Sequence, residues 1–158
     1  MNINILAVGK VKEKYILMGI EEFAKRLTPH CNIKIVEVPD EPAPEKLSES
    51  EELKVKQREG EKLLKHVSNS DYSIALDLKG KTLTSEEFAS KISDITMEAS
   101  TINFIIGGSL GLSQEVLNAC QYKLSFSKMT FPHQLMRLIL IEQIYRGFRI
   151  INGFPYHK

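Results

Sequence analysis

Apolar positions along this chain switch between a two-residue and a three-to-four-residue spacing, and each switch predicts a strand giving way to a helix. Ile3, Ile5, Leu6, Ala7 and Val8 form a short apolar strand that ends at Gly9 and Lys10. Ile16, Ile20, Phe23 and Leu27 then recur at helical spacing. Thr28 and Pro29 end that pattern, because proline cannot continue a helical hydrogen-bond ladder. Asn32 to Val38 reads as a second strand, and Pro39, Pro42 and Pro44 among acidic residues make an extended, exposed connection.

Ser48 and Glu51 form a capping-box pair that opens a mostly charged helix to about Val67, with Leu53, Gly60, Leu64 and Val67 as its inward stripe. Tyr72 to Leu78 is a third strand, closed by a Lys79, Gly80, Lys81 turn. A second capping box, Thr84 and Glu87, starts a helix whose buried stripe is Phe88, Ile92 and Ile95. Strand four, Asn103 to Ile106, runs into Gly107, Gly108, Ser109, Leu110 and Gly111. A short helix from about Gln114, a fifth strand around Lys123 to Phe126 and a last helix from about His133 to Ile150 complete the chain.

Five strand and helix alternations predict an α/β fold, a mostly parallel sheet with helices on both faces. The length of 158 residues suits one domain, here residues 1–158, and 42% hydrophobic with 26% charged residues is the composition of a globular chain. Ligands in such folds bind beyond the carboxyl ends of the strands, so the loops after Leu76, Ile106 and Phe126 are the first places to look.

The glycine loop Gly107 to Gly111 lets backbone approach a ligand closely, or simply turns the chain into a helix. Its order is not G-x-G-x-x-G, and it follows the fourth strand rather than the first, which speaks against a Rossmann dinucleotide domain. The segment Leu124 to Gln134, LSFSKMTFPHQ, is a second candidate. Its Ser127 and Thr130 hydroxyls and free backbone groups suit an adenine edge, with Phe126, Met129 and Phe131 as apolar walls.

The last helix carries Leu135, Met136, Leu138, Ile139, Leu140, Ile141, Ile144, Tyr145 and Phe148 on more than one face. Such a helix is either central in a monomer or buried on its outer side by a second copy of the chain; the small size favours a homodimer.

A net charge of +1 argues against an indiscriminate polyanion binder, but the charge is unevenly placed. Glu37 to Glu61 holds nine acidic and four basic residues, whereas Lys123 to Lys158 holds six basic residues and the single acid Glu142, so the C-terminal third is the expected face for an RNA backbone. Cys31 and Cys120 have no Cys or His partner at zinc-site spacing and read as buried thiols, so no metal is expected. Neither a signal-peptide pattern at Met1 to Val8 nor a run able to span a bilayer occurs, which predicts a cytoplasmic protein with no membrane partner.

Phe104 to Leu112 (FIIGGSLGL), Leu124 to Arg146 (LSFSKMTFPHQLMRLILIEQIYR), the ending Pro155, Tyr156, His157, Lys158, the opening LAVGK and the stretch VPDEPAP together resemble one family over essentially the whole chain. It is the ribosomal RNA large subunit methyltransferase H family of the trefoil-knotted SPOUT superfamily. The resemblance implies a C-terminal knot, which strand and helix order alone would argue against because threaded chains are so rare. It also implies that S-adenosylmethionine lies against Leu76, Gly107 and Phe126, Ser127, Lys128, Met129, Thr130 and Phe131.

The activity implied is methylation of N3 of a pseudouridine in 23S ribosomal RNA on the assembled ribosome. The N3 proton must then be removed, and the candidate acceptors are His157, favoured here, Tyr156 and His133, with Arg137 or Lys128 to hold phosphate or developing negative charge. A frayed tail is the alternative for Tyr156 and His157, and loop capping for His133. His30 and His66 read as surface residues. Two other functions stay open: a SPOUT methyltransferase acting on transfer RNA, and a non-catalytic ribosome-binding module.

Overall fold

The computed structural model describes residues 1–158. Five parallel strands form one sheet: β1 (Asn2–Val8), β2 (Asn32–Val38), β3 (Tyr72–Thr82), β4 (Thr101–Ile106) and β5 (Tyr122–Ser125). Their order is β2-β1-β4-β3-β5. Between them run α1 (Lys14–Leu27), α2 (Glu49–Leu64), α3 (Ser85–Thr96) and α4 (Gln114–Ala119), with α5 (His133–Ile151) last.

Side-chain alternation on the central strands divides the interior in two. Ile3, Ile5 and Ala7 of β1 and Ile102, Phe104 and Ile106 of β4 face a core shared with Ile16 and Ile20 of α1, Phe88 and Ile92 of α3, and Leu140, Ile141 and Ile144 of α5. Leu6, Val8 and Ile105 face the other way, onto Leu63 of α2 and Val116 of α4. Helices therefore cover both faces of the sheet, as expected. Phe104, Ile3 and Ile102 are fully enclosed, and burial of a side chain of this size contributes about 1.5–3 kcal/mol.

Both capping boxes form. Ser48 and Thr84 accept from the backbone amides of Glu51 and Glu87, and each glutamate reaches back to the cap. The stripe of α2 is displaced from the expected one: Val55, Glu59, Gly60 and Leu63 are buried, while Leu53 is 60% exposed. Val55, Glu59 and Leu63 recur every four residues, and an acid inside that row disguised it.

Lys79, Gly80 and Lys81 do not end β3. The strand pairs β5 at Leu76↔Leu124, bulges, and pairs again at Lys81↔Leu124 and Thr82↔Ser125. Nor is α5 apolar without partners, for it packs on the sheet core and is flanked by α1 and α3. Leu138 sits against Gly19 of α1, and Gly147 against Ile92 and Ala89 of α3. Of the two thiols, Cys31 is buried and Cys120 only half-buried; burial pushes both up to about 11.

Candidate active site

The three positions picked out in the sequence lie on adjacent strands, although β3 bulges after Leu76 and continues to Thr82 rather than ending in a loop. In the sheet order, β3 lies between β4 and β5, and Ala75↔Ile105 and Leu76↔Leu124 are level with one another. Gly107 and Phe126 therefore follow on either side of Leu76, one residue past its level on β4 and two residues past its partner on β5. The three positions border one region toward the carboxyl side of the sheet.

Its walls have distinct chemistry. Leu76, Phe126 and Phe131 are half-buried, and Leu76 and Phe126 also lean on the main core. Met129 is 72% exposed, and Lys128 and Thr130 are exposed with it. The Ser127 hydroxyl accepts from the Met129 amide at 3.0 Å, and the Ser127 carbonyl accepts from Ser125 Oγ at 3.0 Å, so the turn is held by its own side chains. On the opposite side, a Cβ at Gly107 would lie 2.7 Å from the carbonyl carbon of Gly111. Only glycine fits that approach, and Gly111, with φ of +88°, turns the loop back toward α4.

Below the glycine loop lies a carboxyl that sequence reasoning missed. Glu59 is 5% exposed, accepts from the Glu41 amide at 3.1 Å, and lies 3.2 Å from where a Cβ on Gly108 would stand. Burial raises its pKa, with Asp40 and Glu41 adding to the rise and the Glu41 amide and Lys62 opposing it. The signal available in the sequence was its place in the Val55–Leu63 row.

Arg137 is 1% exposed, and its guanidinium is committed within the chain. It donates to Glu37 Oε2 at 2.7 Å, to the Val8 carbonyl at 2.8 Å and to the Gly9 carbonyl at 2.9 Å. The group expected to hold a phosphate instead ties the start of α5 to the end of β1. His133, one turn earlier, is half-buried; burial first and the Arg137 charge second lower its pKa, favouring the neutral ring.

The tail residues lie elsewhere. Tyr156 donates to Glu142 Oε1 at 3.1 Å, an oxygen that also takes Arg146 at 2.6 Å. Burial and Glu142 both raise the Tyr156 pKa, so its hydroxyl is a donor rather than a base. His157 places Nε2 2.6 Å from Glu86 Oε1 and Nδ1 3.1 Å from Arg146 Nη1. A carboxylate accepts and a guanidinium donates, which assigns the Nε2–H tautomer and occupies both ring nitrogens. Arg146 and His133 are thirteen residues apart on α5, about 20 Å along the axis. Within one chain, His157 and Tyr156 thus sit well along α5 from His133 and Arg137.

The C-terminal basic run is correspondingly less open than its charge count implied. Arg137 is buried, Arg146 is paired with Glu142, and Arg149 lies over the Phe154 ring at 4.5 Å, leaving Lys123, Lys128 and Lys158 exposed. His30 is not a free surface residue either, since it stacks on Phe148 at 5.8 Å. No group of three or more His, Cys, Asp or Glu side chains converges as metal ligands would, and no helix is long and apolar enough to cross a membrane.

A family model described as "Predicted SPOUT methyltransferase" matches residues 1–157. The chain belongs to the SPOUT methyltransferases. The trefoil knot comes with that membership rather than from strand order. SPOUT relatives similar over their whole length include proteins from Alkaliphilus oremlandii, 60% identical, Clostridium novyi, 58%, and Clostridioides difficile, 57%. In each case 100% of both chains is covered, and each relative is named Ribosomal RNA large subunit methyltransferase H.

Proposed function

We propose that this chain uses S-adenosylmethionine to methylate N3 of a pseudouridine in large-subunit ribosomal RNA, on the assembled ribosome and as a homodimer. The observation that carries the reading is the nearness of the ends of β4 and β5 to Leu76, where β3 bulges away from β5, in a chain whose full-length relatives are named for large-subunit ribosomal RNA. The residues fit the cofactor. Leu76, Phe126 and Phe131 offer apolar walls for an adenine, the 126–131 turn offers backbone donors and acceptors, and the Gly107 backbone leaves room for close approach.

Bound there, the cofactor supplies an electrophilic methyl group. The protein's own task is to hold the base nitrogen in line and to take its proton. His157 is the proposed acceptor, with His133 the alternative that lies next to the crevice in the same chain. Lys128, exposed in the crevice loop, is free to meet a phosphate, whereas Arg137 is a positioning residue that fixes the Gly9 end of β1 against α5.

A second copy offers another place for the tail. In its own chain both ring nitrogens of His157 are taken by Glu86 and Arg146, so a tail swung across to a partner would release the imidazole for the partner's site. Tyr15 and Met18 on α1, 67% and 68% exposed beside the Gly19–Leu138 contact with α5, form an apolar patch suited to that pairing. Transfer of labelled methyl to ribosomal RNA tests the whole proposal.

A further inference from the structure

The bulge in β3 does more than interrupt a ladder. It seats Gly80 directly on β5, where a Cβ would lie 2.6 Å from the Lys123 carbonyl oxygen, 2.7 Å from its carbon and 2.8 Å from the Leu124 nitrogen. No residue but glycine allows that approach. Its two neighbours, Lys79 and Lys81, are thereby placed beside Lys123, and Lys81 pairs with Leu124 in the ladder.

All three lysines are exposed, and none takes part in any of the chain's ion pairs. Asp77, the acid at the base of the bulge, accepts only the Lys79 backbone amide, at 3.4 Å. Next along β5, Tyr122 carries the Lys91 ammonium 3.9 Å from its ring, a further cation beside the same strand. β5 is the edge of the sheet, and its chain continues through Ser125 into the 126–131 turn, whose Lys128 is also exposed.

We infer that Lys79, Lys81 and Lys123 form a phosphate-docking ridge that lays the RNA backbone along the β3–β5 edge and so delivers the target nucleotide to the crevice beside it. Three exposed lysines without ion-pair partners, on backbone brought together by the Gly80 contact, match a run of phosphates, and they border the cofactor turn rather than the acidic side of α2. Like charges held together without acidic partners cost stability, which a polyanionic partner relieves. The inference rests on the proposed RNA substrate, but it concerns where that RNA lies, not what is done to it.

The test is binding of fluorescently labelled protein to ribosomes over a salt series, for wild type, for the Lys79→Gln, Lys81→Gln, Lys123→Gln triple variant, and for a Lys46→Gln, Lys54→Gln, Lys65→Gln control on the acidic side. All are exposed positions, so the fold should survive; a thermal melt and S-adenosylmethionine affinity equal to wild type establish that. The ridge predicts at least about tenfold weaker binding near 0.1 M salt, and a slope of log K against log salt shallower by roughly 2–3, with the control unchanged. Wild-type affinity and slope in the triple variant overturn the ridge, as does a wild-type protein that binds no ribosomal particle. Normal ribosome binding by the wild type without methyl transfer would instead count against the proposed reaction and leave the ridge standing.

Discussion

Arg137 and Glu37 meet at 2.7 Å across one hundred residues of sequence, joining the last helix to the second strand. The arginine side of that pair is 1% exposed and the glutamate side 35%, so one charge is fully withdrawn from water and depends on the other. Glu37 Oε2 also accepts from the Val11 amide at 3.0 Å, which extends the tie to the loop after β1.

Removing one partner should therefore cost more than removing both. Glu37→Ala is expected to lose about 2–3 kcal/mol, because the guanidinium keeps its two carbonyls but not its counter-charge. That corresponds to a fall in Tm of roughly 5–10 °C for a chain of this size. Adding Arg137→Met should not double the loss, and a thermal-melt double-mutant cycle measures the coupling. Strict additivity would show that the pair is incidental to stability.

Glu59 predicts a pH-dependent difference in stability. Its folded pKa is raised, so its contribution is fully present below the ordinary carboxylate range and is lost as pH rises through the raised value. At neutral pH the ionised, buried group is a cost that glutamine does not carry. Glu59→Gln should melt at or above wild type at about pH 7, with the gap closing toward about pH 4. A variant that gains on wild type as the pH falls contradicts the sign.

The strands and caps around these groups were open to inspection in the sequence, because each rests on local rules. β1 and β4 are recognisable from their apolar residues, although β4 starts at Thr101, two residues before the expected Asn103, and both capping boxes are recognisable from Ser48, Glu51, Thr84 and Glu87. Non-local relations were not. Lys79-Gly80-Lys81 has the composition of a turn, and nothing near it in sequence announces that Gly80 is needed to meet Lys123. The partners of Arg137, Tyr156 and His157, namely Glu37, Glu142 and Glu86, lie at separations that no periodicity records. The loops after Ile106 and Phe126 stand out for a different reason, that ligands in parallel sheets bind beyond strand ends whatever the strand order, and the bulge that carries β3 past Leu76 is not visible there.

The proton acceptor is open to direct assay. His157→Ala should bind S-adenosylmethionine as wild type does and lose methyl transfer by about 10²–10⁴-fold, the ordinary scale of general base catalysis, with partial recovery at alkaline pH. Full activity in that variant would remove His157 from the mechanism and turn attention to His133.

The proposed shared site predicts complementation between defective chains. Neither a chain lacking Tyr156, His157 and Lys158 nor a Gly107→Ala chain, whose new methyl would press on the Gly111 backbone, should be active by itself. Mixed dimers should regain activity at one of their two crevices, measured by methyl transfer after co-expression with two affinity tags. No recovery would mean that each chain completes its own site.

The most direct measurement is transfer of labelled methyl from S-adenosylmethionine to assembled ribosomes, separate large subunits and transfer RNA, all taken from cells lacking this protein. The account predicts label confined to N3 of a pseudouridine in the large-subunit RNA of assembled ribosomes. Label on transfer RNA, or none on any of the three, would contradict it.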